Sequence, residues 1–145
     1  MYLLDTNVVS ELRKIASGRA NPGIVAWASS VSAGAMFLSV ICVHELELGV
    51  LLAERSDPMK GRILRSWLND TVLPAFGDRI LPVNQAIALR SASFHSPVPA
   101  PYRDAFIGAT AAVHGMTVVT RNSSDFERFP KTDVLNPWSQ QRASS

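Results

Sequence analysis

The sequence predicts an α/β domain built on one central, mostly parallel five-stranded sheet, and three observations carry that prediction. Short β-rich runs alternate with longer segments of helical periodicity, with no repeat or low-complexity block between them. Most of the β-rich runs are continuously apolar, as strands covered on both faces should be. The chain has 145 residues, the size of one domain, and an apolar content of 47% supplies its core. The expected strands are residues 2–4, 36–41, 80–83, 117–120 and 133–135.

The helices between them announce themselves by their starts. A helix over residues 7–14 follows the first strand, and Asn21-Pro22 offers an N-cap with proline at the first helical position. Asp57-Pro58 opens a helix in which Ile63, Leu64, Trp67 and Leu68 recur at packing spacing. Asn84 precedes another with Ala86, Ile87 and Leu89, and the run from His95 to Pro101 is a proline-rich break before a helix from near Tyr102. Residues 1–138 then make a single domain, and residues 139–145, with nothing to bury, a frayed tail.

Composition removes several classes of function. No window approaches the roughly 18 apolar residues of a membrane span, and Asp5 arrives before a signal-peptide core can form, so a cytoplasmic protein without membrane contact is expected. Cys42 is the sole cysteine, which excludes an internal disulfide and a thiolate zinc cage and leaves it a small buried apolar residue. The net charge is only +2, yet eleven of the fourteen cations are arginine, the side chain whose planar fork suits phosphate.

In an open parallel sheet, chemistry collects at the carboxyl ends of the strands. Asp5 closes the first strand in LLDTN, and Glu45 falls in the first turn of the helix after the second. Asp104 lies in the first turn of PYRDAFIGATA, and Asp125 follows the fourth strand in VVTRNSSDF. Taken singly, each acid has a structural use. Asp5 suits an Asx turn, Glu45 and Asp104 complement helix dipoles, and Asp125 caps a short helix around residues 126–129. Glu45 is the least explained by capping, because the residue three before it is Cys42, a poor capper. Brought to one edge, the four carboxylates would repel one another unless neutralised, and an oxygen-donor site of this kind suits Mg²⁺ or Mn²⁺. Such a site hydrolyses phosphodiesters with metal-activated water and needs no Ser, Cys or His nucleophile.

The words LLDTNVVSEL, VHELELGV, RDAFIGATA and VVTRNSSDF, in that order over about 120 residues, resemble the PIN-domain ribonucleases, specifically the VapC toxins of VapBC-type toxin–antitoxin modules. The closing Asn136-Pro137-Trp138 is similar to the FitB-like branch. The resemblance implies a three-layer α/β/α PIN domain and a Mg²⁺- or Mn²⁺-dependent endoribonuclease that leaves a 5′-phosphate. By motif match Asp5, Glu45 and Asp104 are its central acids, and Asp125 completes or supports them. The family's fourth acid varies in place: some members carry Asp where this chain has Asn122, others in the position of Asp125. Thr120 and Asn122 match polar positions that hold a carboxylate or a water on the metal, and Asn7 belongs to the same supporting set. The chain departs from the pattern at Cys42, where Thr or Ser is usual, and in the proline-rich lead into Asp104.

The resemblance also implies partners. These are a structured RNA as substrate, a second copy in a homodimer, and a VapB-like antitoxin that inhibits the toxin, giving a heterotetramer or larger assembly that touches DNA only through the antitoxin. The antitoxin groove maps to the helix over 7–14 and the helix bearing Leu46, Val50 and Leu51. Arg103, Arg121 and Arg128 flank the acidic words and either hold RNA phosphates or balance nearby acids. His44 adjoins Glu45 but points elsewhere on a helix, and His95 and His114 have no partner at ligand spacing. Trp27, Trp67 and Trp138 read as packing residues. Two other readings keep the fold. One is a catalytically weak binding module in an antitoxin–DNA autorepressor complex. The other is a phosphotransfer domain with Asp5 as nucleophile, against which Asn7 stands where a second Asp is usual.

Overall fold

The computed structural model describes residues 1–140. The chain runs through β1 (Tyr2–Leu4), α1 (Thr6–Leu12), α2 (Pro22–Ser30), β2 (Met36–Ser39), α3 (Val40–Ser56) and α4 (Pro58–Trp67). It continues through α5 (Leu73–Phe76), β3 (Ile80–Leu81), α6 (Gln85–Ser93), α7 (Tyr102–His114), β4 (Thr117–Val119), α8 (Ser123–Glu127), β5 (Asp133–Leu135) and α9 (Pro137–Gln140). The five strands form one sheet in the order β3-β2-β1-β4-β5, and every neighbouring pair is parallel.

Side-chain alternation along the strands divides the core into two. Leu3 and Val118 pack with Ile87, Phe94, Ile107 and Phe126 on one face, against α6, α7 and α8. The adjacent residues Leu4 and Val119 pack with Val8, Ile24, Leu46, Val50 and Leu68 on the other, against the helices from α1 to α4. Successive strand residues point to opposite faces, so an uninterrupted apolar word such as Leu3-Leu4 serves two cores at once. The result is the three-layer α/β/α arrangement implied by the sequence resemblance.

Element boundaries moved where a polar side chain or a proline decided them. The second strand, expected through residue 41, ends at Ser39, because the Ser39 hydroxyl accepts a hydrogen bond from the Ile41 N–H at 3.0 Å and starts α3 at Val40. Asp57 and Asn84 cap α4 and α6 as their sequences suggest, and Asn21 caps α2. The first helix begins one residue earlier than expected and stops at Leu12, and α8 begins at Ser123 rather than near Phe126. Past α4, residues Leu68–Val72 widen into a π-helical stretch before α5; Pro74 there has no N–H with which to continue the α pattern. Ile63, expected in the packing face of α4, is 58% exposed, while Leu68 is buried. Ser139 and Gln140 complete α9, and residues 141–145 of the expected tail lie outside the described residues. Among the described residues no helix is long and apolar enough to cross a membrane.

The crossing of α3 and α4 leaves no room at Gly61. A Cβ built there lies 2.5 Å from the backbone Cα of Glu54, whereas one at Gly49, within α3, meets nothing within 4 Å. Gly61→Ala is expected to destabilise the fold by about 1–3 kcal/mol through overpacking. Gly49→Ala, in the middle of a helix, should stabilise it by about 0.5–1 kcal/mol. Urea unfolding of the two variants checks the pair of opposite signs.

Candidate metal centre

The chain leaves β1 for β2 and β3 on one side of the sheet, then returns to place β4 on the other side of β1. The carboxyl ends of β1 and β4 therefore frame the topological switch point, where the chain diverges and a crevice opens. Asp5 follows β1 and Thr120 follows β4, both fully buried. The Asp5 N–H donates to the Val119 carbonyl at 2.9 Å, so the β1–β4 pairing itself sets the height of this carboxylate. Asp5 also caps α1. Its Oδ1 accepts from the Thr6 N–H at 2.7 Å, while Oδ2 accepts from the Thr120 hydroxyl at 2.8 Å and, more weakly, from the Asn7 amide at 3.4 Å.

Glu45 reaches the same point from α3. Because Ser39 caps that helix, Glu45 is its sixth residue and stands in the second turn, not the first. Its Oε1 accepts a hydrogen bond from the Thr6 hydroxyl at 2.6 Å. Thr6, which the sequence analysis did not single out, thus holds Asp5 with its backbone and Glu45 with its side chain. Its only sequence signal was its place beside Asp5 at a helix start. Asp104, the third residue of α7, arrives from the opposite face of the sheet and is buried.

Arg103 joins the three acids. Its Nε donates to Glu45 Oε2 at 2.5 Å, its Nη1 donates to Asp104 Oδ1 at 2.8 Å, and its Nη2 donates to Asp5 Oδ1. Of the two roles open to Arg103 in the sequence, its guanidinium takes up charge balance. Burial raises the Glu45 carboxyl, but the Arg103 and Thr6 hydrogen bonds and the Arg103 charge outweigh it and hold the group below the ordinary carboxylate range. Burial lifts Asp104 above that range, helped by Asp125 and Asp5, despite the opposing pull of Arg103. Breaking a buried pair by removing one partner typically costs about 3–5 kcal/mol, because it leaves a charge uncompensated.

The remaining expected residues lie around this core at different removes. Asp125 is exposed in the first turn of α8 and close enough to Asp104 to act on it by charge. Its N–H donates to the Asn122 carbonyl at 3.1 Å. Asn122 supports Thr120 through its backbone N–H at 3.0 Å, and Asn7 supports the neighbouring loop by accepting from the Arg121 N–H at 3.2 Å. Arg128 Nη2 lies 3.8 Å from Asp104 Oδ2, and Arg121 stacks over Trp138, its guanidinium carbon 5.6 Å from the ring centre. Asn136 of the closing Asn-Pro-Trp word donates to the Arg121 carbonyl at 3.1 Å and accepts from the Trp138 N–H at 2.9 Å, pinning α9 to the loop behind the site. His44 is exposed on α3 and His114 on α7, while the His95 Nδ1 accepts from the Ala100 N–H at 3.3 Å in the proline-rich turn. Trp27 is buried, and Trp67 and Trp138 pack against the same core cluster.

A cleft of about 330 Å³ opens beside Glu45, lined by Thr6, Ser10 and Arg13 of the first helical segment, Leu46, Gly49 and Val50 of α3, and Lys60, Leu64 and Trp67 of α4. It lies where the antitoxin groove was expected, between the first helix and α3, but α4 adds a third wall and Leu51 is not part of it. Leu51 is 47% exposed and does not line the cleft, because it stands on another side of α3.

Ligand-capable atoms of Asp5, Cys42 and Glu45 lie within 4.8 Å of one another. Cys42 is nevertheless a poor donor. Its Sγ donates to the Leu4 carbonyl at 3.4 Å, and burial pushes its thiol up to about 12. A buried neutral thiol does not suit a hard cation, whereas the three carboxylates, gathered around one guanidinium, offer the oxygen donors that Mg²⁺ or Mn²⁺ takes. Cys42 is accordingly expected to resist alkylation by iodoacetamide at pH 8 in the native protein and to react promptly in denaturant. Fast labelling of the folded chain would contradict its assignment as a buried thiol.

Known proteins are similar to this chain over nearly its whole length. Residues 2–132 match the PIN-domain family. The chain is 38% identical to toxin FitB of Neisseria gonorrhoeae over 144 residues, covering 95% of this chain and 99% of that protein. It is 35% identical to VapC ribonuclease Y4jK of Sinorhizobium fredii over 143 residues, covering 95% and 98%. The crystal structure of FitAcB from Neisseria gonorrhoeae superposes with a TM-score of 0.85 at 36% identity, over 96% of this chain and 99% of that one. The chain belongs to the PIN-domain family, in the group of its FitB and VapC relatives.

Proposed function

We propose that the chain is a Mg²⁺- or Mn²⁺-dependent endoribonuclease, the toxin of a type II toxin–antitoxin pair. One observation carries this reading: Asp5, Glu45 and Asp104, from three separate elements, meet around a single cation at the sheet's switch point. A divalent ion held by these carboxylates supplies charge stabilisation to the phosphodiester and makes water a competent nucleophile near neutral pH. The chain's own residues do the rest. Thr120, Thr6 and Asn7 fix the Asp5 carboxylate, Thr6 fixes Glu45, and α7 delivers Asp104 to the same point. Arg128, 3.8 Å from Asp104, and Arg121, on the loop after β4 that Asn7 and Asn136 hold, are suited to bind RNA phosphates. Asp125, exposed and acting on Asp104 through its charge, fits a supporting role better than that of a direct ligand. In-line attack by water forms a bond to phosphorus and breaks the bond to the 3′ oxygen, leaving 5′-phosphate and 3′-hydroxyl ends.

The cleft beside Glu45 suits an antitoxin segment, with apolar walls from Leu46, Val50, Leu64 and Trp67 and cations from Arg13 and Lys60. Leu48, Leu51 and Leu52 are exposed at helical spacing on α3 and support a homodimer contact rather than the cleft.

Purified protein should make discrete cuts in total cellular RNA with Mg²⁺ or Mn²⁺. EDTA should abolish them, and Asp104→Ala should reduce them by about a hundredfold or more, by analogy with other losses of transition-state stabilisation. Equal cutting by Asp104→Ala would assign the activity elsewhere, and a folded wild type that cuts no RNA would favour the binding-module reading. For the partner, Gly49→Arg fills the cleft from a position with open space and should abolish capture of a co-expressed antitoxin. Leu51→Asp should leave that capture intact, and the reverse pattern would move the partner to the exposed leucine face.

A further inference from the structure

We infer that Arg103 is an internal occupant of the metal position, so that a divalent cation loads only by displacing this side chain from the three carboxylates. The inference rests on the metal-dependent reading above and adds a competitor built into the chain. Its basis is which oxygens are already committed. Asp5 Oδ2 is held by Thr120 and Asn7, and Glu45 Oε1 is held by Thr6. These contacts turn the opposite oxygens toward Arg103, with Asp5 Oδ1 also accepting from the Thr6 N–H at 2.7 Å. Arg103 takes Asp5 Oδ1, Glu45 Oε2 and Asp104 Oδ1 together, one with each of its nitrogens. These are the atoms an ion would need.

Both cations cannot share that set, because a guanidinium among the same oxygens would repel a divalent ion at contact distance. Nor can Arg103 leave by losing its proton, since a guanidinium stays charged at any pH the fold survives. Exchange is the remaining route, and it is open: the Arg103 side chain is 32% exposed while the Asp5 side chain beneath it is fully buried. Arg128 provides the contrast. It lies 3.8 Å from Asp104 Oδ2 and donates no hydrogen bond to Asp5 or Glu45, so it balances charge without filling the centre.

Calorimetric titration of Mn²⁺ into the full chain tests the exchange, comparing the wild type with Arg103→Gln, Arg103→Lys, Arg128→Gln and Asp5→Asn. The expected result is at least about tenfold tighter Mn²⁺ binding in Arg103→Gln, a tenfold change being 1.4 kcal/mol. Arg103→Lys separates occupancy from net charge: a point-charge ammonium cannot span three carboxylates, so this variant should also bind more tightly than the wild type. Arg128→Gln should change affinity much less, and Asp5→Asn should lose binding. Equal affinity in the wild type and Arg103→Gln, both sensitive to Asp5→Asn, would overturn the exchange while leaving the metal centre standing. Absence of any binding that depends on Asp5 would remove the metal reading and the exchange with it. If the Arg103 variants fail to fold, the wild type answers alone. The Arg103 Nε–H resonance, protected from water in metal-free protein, should shift and lose that protection as Mg²⁺ saturates, and an unchanged resonance would overturn the inference.

Discussion

Three carboxylates brought to one point at the end of a parallel sheet set the terms on which this domain folds. Asp5 has no exposed surface, Asp104 is nearly as buried, and Glu45 leans over both from a third element. Desolvating a carboxylate costs several kcal/mol, and placing like charges together adds to that cost. The Arg103 guanidinium and a ring of hydroxyl, amide and backbone donors offset it. The two carboxyls register the strain differently. Asp104 is pushed up by burial and by its acidic neighbours, whereas the arginine and Thr6 draw Glu45 down.

The scaffold ties both oxygens of Asp5 and one of Glu45 to the fold, and leaves Glu45 Oε2 and one further acceptor site on Asp5 Oδ1 to the arginine. Thr6 is the most economical part of this arrangement, since one residue at the start of α1 holds Asp5 through its backbone and Glu45 through its hydroxyl. Thr120 holds the other oxygen of Asp5 and in turn accepts from the Asn122 N–H, so the loop after β4 is fixed by the acid it supports. Asn136 secures that loop from behind by bonding to the Arg121 carbonyl. A word near the end of the described chain thereby steadies a site whose acids stand at positions 5, 45 and 104 of the sequence. In this way the C-terminal helix contributes to site geometry without approaching a carboxylate.

A centre built to hold positive charge among acids, with a cleft of mixed apolar and basic lining beside it, fits a nuclease that must be both activated and restrained. In the exchange proposed above, the same oxygens serve either Arg103 or a divalent ion, and the occupant decides whether the crevice is a closed ion-pair network or an open reactive site. The cleft between α1, α3 and α4 reaches that crevice at Glu45 and Thr6. A segment lying in it would touch the residues that orient the acids.

The fold class was legible in the sequence because the physics that makes it is local. Continuous apolar words such as Leu3-Leu4 and Val118-Val119 demand two covered faces, and Asn21, Asp57 and Asn84 mark helix starts by hydrogen bonds within three residues. The convergence of Asp5, Glu45 and Asp104 was legible too, as short words at element junctions. What the sequence could not settle depended on reach across the fold. Ser39, not a residue near Cys42, caps α3, which moves Glu45 into the second turn. Leu51 faces away from the cleft, and Asp125 stays exposed, because the rotation of α3 and the placement of α8 are fixed by packing. Arg103 shows the limit most clearly. Its position beside Asp104 is written in the chain, but an arginine side chain is long and has several rotatable bonds, and only the folded sheet brings Asp5 and Glu45, 98 and 58 residues away, within reach of its three nitrogens.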